Sequence, residues 1–161
     1  LALLAGCLVG FEREWHDKPA GIRTYALVCE GSALFMIASL KLGEQVTATG
    51  QGYDPGRIAS TIVQGVGFLA GGVIFTHGAR VKGLTTAAGI WVIAAVGMLI
   101  GMGAFFVASI AVATTIFTLV ALSRFEHSVL RFESSRFGPS IRRRSPPVEA
   151  DDEVSAESTP P

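Results

Sequence analysis

The chain has 161 residues, half of them hydrophobic, and a mean hydropathy of +0.49. Only 16% of the residues are charged, whereas an ordinary soluble domain has about a quarter. The composition therefore argues against a soluble globular protein. The formal net charge is zero, but the charges are unevenly placed, so their positions carry more information than their sum.

Five apolar segments can be placed along the chain, and in chain order they cover residues 1–11, 22–42, 58–76, 84–100 and 104–122. The last two lie in a stretch of 40 residues, 84–123, that has no charged side chain and is interrupted only at Gly101 and Gly103. A helix that crosses a bilayer needs about 20 apolar residues, and lipid requires every backbone polar group to be paired within the protein. The pattern predicts an all-α membrane protein, a compact bundle of four to five transmembrane helices.

The first segment is too short to span a bilayer, which suggests that the natural chain begins earlier. An alternative is a lipoprotein signal, because residues 4–7 read Leu-Ala-Gly-Cys. No basic region precedes that motif, and the residues after Cys7 stay apolar, which favours a truncated first span.

Basic residues indicate the orientation of the spans. The segments 12–23 and 77–83 and the region after residue 123 contain Lys or Arg, whereas the connections 43–56 and 101–103 contain neither. Basic loops remain in the cytoplasm. We therefore expect a multi-pass protein of the bacterial inner membrane with a cytoplasmic C-terminus, although Lys41 and Arg57 flank the outer loop.

The character of the chain changes after residue 122. Residues 123–137 have the spacing of a basic amphipathic helix that lies on the inner leaflet, or they simply extend the last span. Residues 138–161 contain few apolar side chains and are expected to be a disordered tail.

Glycines recur at helical spacing in the third and fourth segments. Small residues at intervals of four bring transmembrane helices close together, and we expect the ridge on the fourth span to pack on the third. A role in lining a pathway is the alternative. The glycines concerned are Gly65, Gly67, Gly71, Gly72, Gly89, Gly97 and Gly101.

A dense charged segment follows the first span and contains Glu12, Arg13 and Glu14, with Arg23 shortly after. It is either a solvated loop with internal ion pairs or a cytoplasmic docking or ion-sensing site, in which carboxylates could meet a hard cation. Two carboxylates at this spacing are too common to identify a metal.

Glu30 is an ionisable residue inside the second span, and such residues are functional candidates by default. Its partners are expected on other spans, at Gln64, Thr61 or Thr86. The alternative is a hydrogen-bonded contact between helices.

The loop before the fourth span contains Arg80 and Lys82, and Thr85 is a candidate cap for the helix that follows. Basic side chains next to a helix N-terminus suit an anion, for which lipid headgroups are the simplest source. No catalytic motif is visible and the three histidines are isolated, so we expect neither an enzyme nor a bound cofactor.

Several of these stretches, taken together, resemble the MgtC/SapB family of bacterial inner-membrane proteins. The matching motifs are GFERE at 10–14 with PAGIRT at 19–24, DPGRIA at 54–59, GVGFLAGGVI at 65–74, and VKGLTTAA at 81–88 with Trp91. The resemblance covers residues 1–122 and implies a helical membrane domain of four or five spans. Its matching polar residues are Glu12, Arg13, Arg23, Thr24, Asp54, Arg57, Lys82, Thr85 and Thr86.

The resemblance also implies a function. Members of the family are linked to growth in low magnesium and to survival inside phagocytes; some are described as acting on the rotary ATP synthase, and the label of magnesium transporter is disputed. The chain departs from the family at Glu30, where an uncharged residue is expected, and at Gly89, where a larger one is usual.

Two functional hypotheses follow from the sequence. The first is a non-enzymatic membrane protein that supports adaptation to low magnesium through helix–helix contact with a membrane partner. ATP synthase is the partner that the resemblance implies, and a second copy is another. The alternative is a cation transporter with Glu30, Asp54 and Glu12 along its path. Magnesium is then a ligand or a signal, and no nucleic-acid partner is expected.

Overall fold

The computed structural model describes the backbone of residues 1–77 and 80–136, and the side chains of residues 1–76 and 81–121. Each of the five predicted apolar segments forms a helix, so the helical fold class is confirmed. The elements in chain order are α1 (Ala2–Trp15), α2 (Ile22–Ala48), α3 (Gly56–Gly71), β1 (Phe75–His77), β2 (Arg80–Lys82), α4 (Leu84–Gly101) and α5 (Phe105–Arg136).

A short hairpin corrects the predicted end of the third span, which was expected to continue to residue 76. The helix ends at Gly71, and β1 pairs with β2 in antiparallel register, with Phe75 opposite Lys82. Consecutive glycines at 71 and 72 weaken a helix. The β-branched and aromatic residues that follow them, 73–76, favour extended backbone.

The other helix ends agree with the predictions or lie beyond them. The turn between α4 and α5 contains Gly103, whose φ of +78° is a left-handed conformation that suits glycine. The backbone of α5 stays helical as far as Arg136. The amphipathic character predicted for residues 123–137 depends on side chains outside the described part. The disordered tail predicted at 138–161 also lies outside it.

Helix α2 lies between α1 and α4, and α1 packs against it in antiparallel orientation. A Cβ at Gly6 would lie 2.6 Å from the Cα of Ala26, and a Cβ at Gly10 would lie 2.6 Å from the Cα of Ile22. These two glycines therefore allow the backbones of α1 and α2 to meet directly.

Helix α4 packs along another side of α2 and runs parallel to it. Gly89 faces Tyr25 near the start of α2, whereas Gly101 faces Ala33 and Met36 farther along. The start of α2, the start of α4 and the end of α1 therefore share one end of the packed helices.

The distribution of side-chain sizes is the reverse of that in a soluble protein. Much of the buried core consists of alanine and glycine, whereas large side chains such as Phe68, Phe106 and Phe117 are 84%, 78% and 72% exposed. Lipid solvates large apolar side chains, and small residues allow close helix packing.

Two helices, α2 and α4, are long and apolar enough to cross a membrane by length and composition; the apolar part of α5, Phe105–Ala121, is shorter. These helices and the exposed apolar side chains are the features of the described structure that suit a bilayer. That α1, α3 and α5 also span the bilayer stays a prediction.

Candidate functional site

A buried ion pair lies at the C-terminal end of α1. Glu12 and Arg13 are only 8% and 2% exposed, and the Arg13 Nη2 donates a hydrogen bond of 2.8 Å to Glu12 Oε1 while its Nε donates to Oε2. The close approach at Gly10 holds this part of α1 against the start of α2. Removing one partner of such a pair leaves an uncompensated buried charge.

Tyr25 extends the polar interior toward α4. Its side chain is fully buried, and its hydroxyl donates a hydrogen bond of 3.2 Å to the backbone carbonyl of Thr86. Gly89 leaves room for the phenol, because a Cβ at that position would collide with the Tyr25 hydroxyl. We call the Glu12–Arg13 ion pair and the Tyr25–Thr86 hydrogen bond, which lie at the same end of the packed helices, the buried polar cluster.

Glu12 and Arg13 were predicted as one candidate site and Thr86 as part of another, at the entry to the fourth span, whereas Tyr25 was missed. The available signal was Gly89, the position where the chain departs from the larger residue expected of the family. A glycine on a packed helix face leaves space that a large side chain on the neighbouring helix can fill, and here Tyr25 fills it.

The predicted charged cluster at residues 12–24 is divided between the interior and the surface. Glu14 accepts a hydrogen bond of 2.9 Å from the backbone N–H of Ile22, so its carboxylate satisfies the first turn of α2. Arg23 and Thr24 are exposed. Only Glu12 and Arg13 of this segment belong to the buried polar cluster.

His16 connects the buried pair to the surface. Its Nδ1 lies 2.8 Å from the backbone oxygen of Glu12 and 3.2 Å from Glu12 Oε1, and its side chain is 40% exposed. The sequence analysis treated this histidine as isolated. It is instead the partly exposed neighbour of the buried carboxylate.

Glu30 does not meet the partners proposed for it. It is partly exposed on α2, and within the described residues its carboxylate makes no side-chain hydrogen bond or ion pair. The Thr61 hydroxyl donates instead to the carbonyl of Ile58, at 2.8 Å, and Gln64 is exposed on α3. The predicted bonds from Glu30 to these residues are therefore wrong.

The loop before α4 is organised by Gly83 rather than by Thr85. Gly83 is the N-cap, with φ of +89°, and a Cβ there would collide with the carbonyl of Val73. Since α4 has no side-chain cap bond and Thr85 is exposed, the predicted threonine cap is wrong. Lys82 is exposed, and the Arg80 side chain lies outside the described part.

Asp54 has a local role at the opposite end. Its Oδ1 accepts a hydrogen bond of 2.8 Å from the backbone N–H of Gly56, at the start of α3, and Arg57 is exposed beside it. Within the part of the chain that the structure describes, no three His, Cys, Asp or Glu side chains are grouped so that they could hold a metal ion.

The two glycine patterns lie in different surroundings. Gly97 meets the backbone of Cys29 on α2, so the prediction that the α4 ridge packs on the third helix is wrong. On α3, a Cβ added at Gly65, Gly67 or Gly71 would meet nothing within 4 Å, and Gly72 meets only the preceding turn of its own chain.

The exposed flank of α3 is small and polar. Ser60, Gln64, Gly67 and Gly71 are all exposed, and their spacing of four, three and four residues places them along one side of the helix. We call this flank the α3 outer face. An apolar groove of about 480 Å³ lies between α2 and α3 and includes Gly31 and Gly65 among its lining residues.

Comparison with known proteins gives a consistent result. The sequence model of the MgtC family matches residues 1–128. Protein MgtC of Salmonella typhimurium strain LT2 is 45% identical over 120 residues, which are 74% of this chain and 47% of that protein.

Two further relatives are similar. The protein named "Putative magnesium transporter YhiD" of Escherichia coli strain K12 is 40% identical over 139 residues, covering 85% of this chain and 63% of that protein. The uncharacterized protein slr0014 of Synechocystis is 48% identical over 105 residues, covering 65% and 42%. The matches thus cover less than two thirds of each of these relatives. No solved structure matches the chain.

Proposed function

Because this chain belongs to the MgtC family, we propose that it is an integral inner-membrane protein that supports adaptation to low magnesium through contact with a membrane-protein partner. The magnesium association comes from the family resemblance and from the name of one relative, the "Putative magnesium transporter YhiD". The partner implied by the family resemblance is the rotary ATP synthase. The basic loops that share one end of α2 and α4 support a cytoplasmic location for that end, and hence a cytoplasmic C-terminus.

The observation that carries the partner contact is the α3 outer face. Gln64 lies on it among Ser60, Gly67 and Gly71, and nothing in the described chain packs on those glycines. An amide facing hydrocarbon without a partner is costly, and small and polar residues are the groups that join transmembrane helices. The face therefore suits a helix of another membrane protein.

The carboxylates suggested for an ion path also support this proposal over transport. Glu12 is already paired with Arg13, and Asp54 holds the first turn of α3. Two of the three carboxylates suggested for an ion path thus have structural partners. A magnesium ion usually needs several oxygen ligands to replace its water.

The test is a bulky substitution on the α3 outer face. The variant is expressed in a host strain from which the gene for this protein has been deleted. Gly67→Leu should fail to restore growth in low magnesium and should no longer co-purify the partner. The amount of folded protein in the membrane should stay unchanged. Ala38→Leu is the matched control, because Ala38 is an exposed small residue on α2. Equal growth and equal co-purification of the two variants would contradict the proposal.

Cation transport is the second candidate, and the observation that favours it is the partly exposed carboxylate of Glu30, which makes no ion pair among the described residues. Magnesium flux into proteoliposomes that contain the purified chain separates the two functions. Flux that is lost in Glu30→Gln and kept in Glu44→Gln, at the exposed end of α2, would establish transport and reject the partner contact as the main activity.

A further inference from the structure

Three exposed cations lie at the end of the helices where α1 ends and α2 and α4 begin. Lys18 is in the loop between α1 and α2, Arg23 is in the first turn of α2, and Lys82 is the last residue of β2. The parallel packing of α2 and α4, fixed by the Tyr25–Thr86 hydrogen bond, brings their first turns to one level. We call these three residues the basic rim.

The cations of the basic rim are not held in close ion pairs. Within the described residues, no carboxylate oxygen lies within 4.0 Å of their side-chain nitrogens, since the ion pairs found there involve Arg13, His16 and Lys41 instead. The nearby Glu14 carboxylate holds the backbone N–H of Ile22. The charged groups of the rim therefore make no direct ion pair among the described residues, while the exposed carboxylates of Glu14 and Asp17 lie in the same segment.

Exposed aromatic side chains accompany the rim. Trp15 is 75% exposed and Phe11 is 57% exposed on the last turns of α1, and their rings lie 5.9 Å apart. Phe75, paired in register with Lys82, is also exposed. Tryptophan is enriched at the level of the lipid headgroups, so Trp15 is the ring that fits such a position.

The opposite end of the described helices differs. There Lys41 is 3.1 Å from Glu44, so one of its two exposed cations, Lys41 and Arg57, has an acidic partner. The two ends therefore differ in how many of their exposed cations have an acidic partner. The contrast in charge distinguishes the two ends, whereas exposed aromatic rings also occur near the end of α4, where Phe105 and Phe106 begin α5.

We propose that the basic rim binds the headgroups of anionic phospholipids in the membrane that holds the protein. The three cations come from three different elements, an arrangement that suits a plane of headgroups. Each cation close to an anionic surface increases binding by about fivefold. This inference is independent of the partner contact on the α3 outer face.

The experiment measures phosphatidylglycerol retained by the detergent-purified chain, by native mass spectrometry and by the shift of thermal unfolding on adding that lipid. The variant Lys18→Gln/Arg23→Gln/Lys82→Gln should bind it more weakly, on the order of a hundredfold for three cations. The matched control, Lys41→Gln/Arg57→Gln at the opposite end, should bind phosphatidylglycerol as strongly as the parent chain does. The parent, the triple variant and the control should all fail to retain phosphatidylcholine.

A charge-preserving variant separates lost binding from lost folding. Lys18→Arg/Arg23→Lys/Lys82→Arg should retain the lipid and its thermal shift, and high salt should weaken both. Equal retention by the triple glutamine variant and the opposite-end control would overturn the proposal. Displacement of the lipid by inorganic phosphate at low concentration would also overturn it, because the site would then take free phosphate.

Discussion

The glycines of α4 and those of α3 follow similar spacing in the sequence but meet opposite surroundings. At Gly97 a Cβ would lie 2.9 Å from the Ser32 Cβ and would also collide with the backbone of Cys29, whereas at Gly67 it would meet nothing within 4 Å. One set of glycines closes the core of α1, α2 and α4, and the other lies open on the surface.

The difference shows what such a pattern encodes. Small residues at helical spacing permit close approach of another helix, but they do not identify that helix. The α4 glycines are occupied within the chain by α2, whereas Gly65, Gly67 and Gly71 of α3 meet no other described residue. The predictions below test whether the α1–α2–α4 core is as sensitive, and α3 as tolerant, as this contrast implies.

The largest effect is expected from breaking the buried ion pair of the core. Arg13→Leu leaves the Glu12 carboxylate buried without its cation and should lower the free energy of unfolding by about 3–5 kcal/mol. SDS-induced unfolding in mixed micelles provides the measurement. Arg57→Leu, on the exposed start of α3, is the control and should change that free energy by less than about 0.5 kcal/mol. Similar losses in both variants would show that the pair is not the sensitive element.

The second effect compares the two glycine sets directly. Gly97→Ala should cost about 1–3 kcal/mol, because the new methyl group must displace the Cys29 backbone or Ser32. Gly67→Ala places its methyl group in open space and should cost nothing, with a gain of up to about 1 kcal/mol from helix propensity. The same unfolding assay applies. A destabilised Gly67→Ala variant in the absence of any partner would contradict the open position of α3.

The fold was predictable from the sequence where a single local pattern decides it. Apolar segments of sufficient length and the glycines at 101 and 103 identified the helices and the α4–α5 turn. The hairpin at 75–82 was missed, because its six paired residues lie within and beside apolar sequence that also suits a span. Its formation depends on where the helix stops at Gly71.

The candidate site was harder to predict because its members come from three helices. The charges of Glu12 and Arg13 are visible in the sequence, but their burial depends on the close approach at Gly10. Tyr25 resembles any aromatic residue of an apolar helix until Gly89 is placed opposite it. The burial of the ion pair and the role of Tyr25 both depend on how the helices pack together. The spacing of residues along one helix does not show that packing.

The smallest effect is expected from the tyrosine that joins α2 to α4. Tyr25→Phe removes the hydrogen bond to the Thr86 carbonyl, at 3.2 Å, and should cost about 0.5–1.5 kcal/mol in the unfolding assay.

The matched substitution at the opposite end is Tyr53→Phe. The Tyr53 hydroxyl lies 3.0 Å from the Ser39 hydroxyl, which also donates to the carbonyl of Pro55 at 3.4 Å. Because Ser39 keeps a partner, the loss should lie at or below the lower end of the range given for Tyr25→Phe, about 0.5 kcal/mol. If Tyr53→Phe were the more damaging change, the connection of α2 to α3, rather than that of α2 to α4, would be the tighter one, and the contrast between core and α3 would have to be reversed.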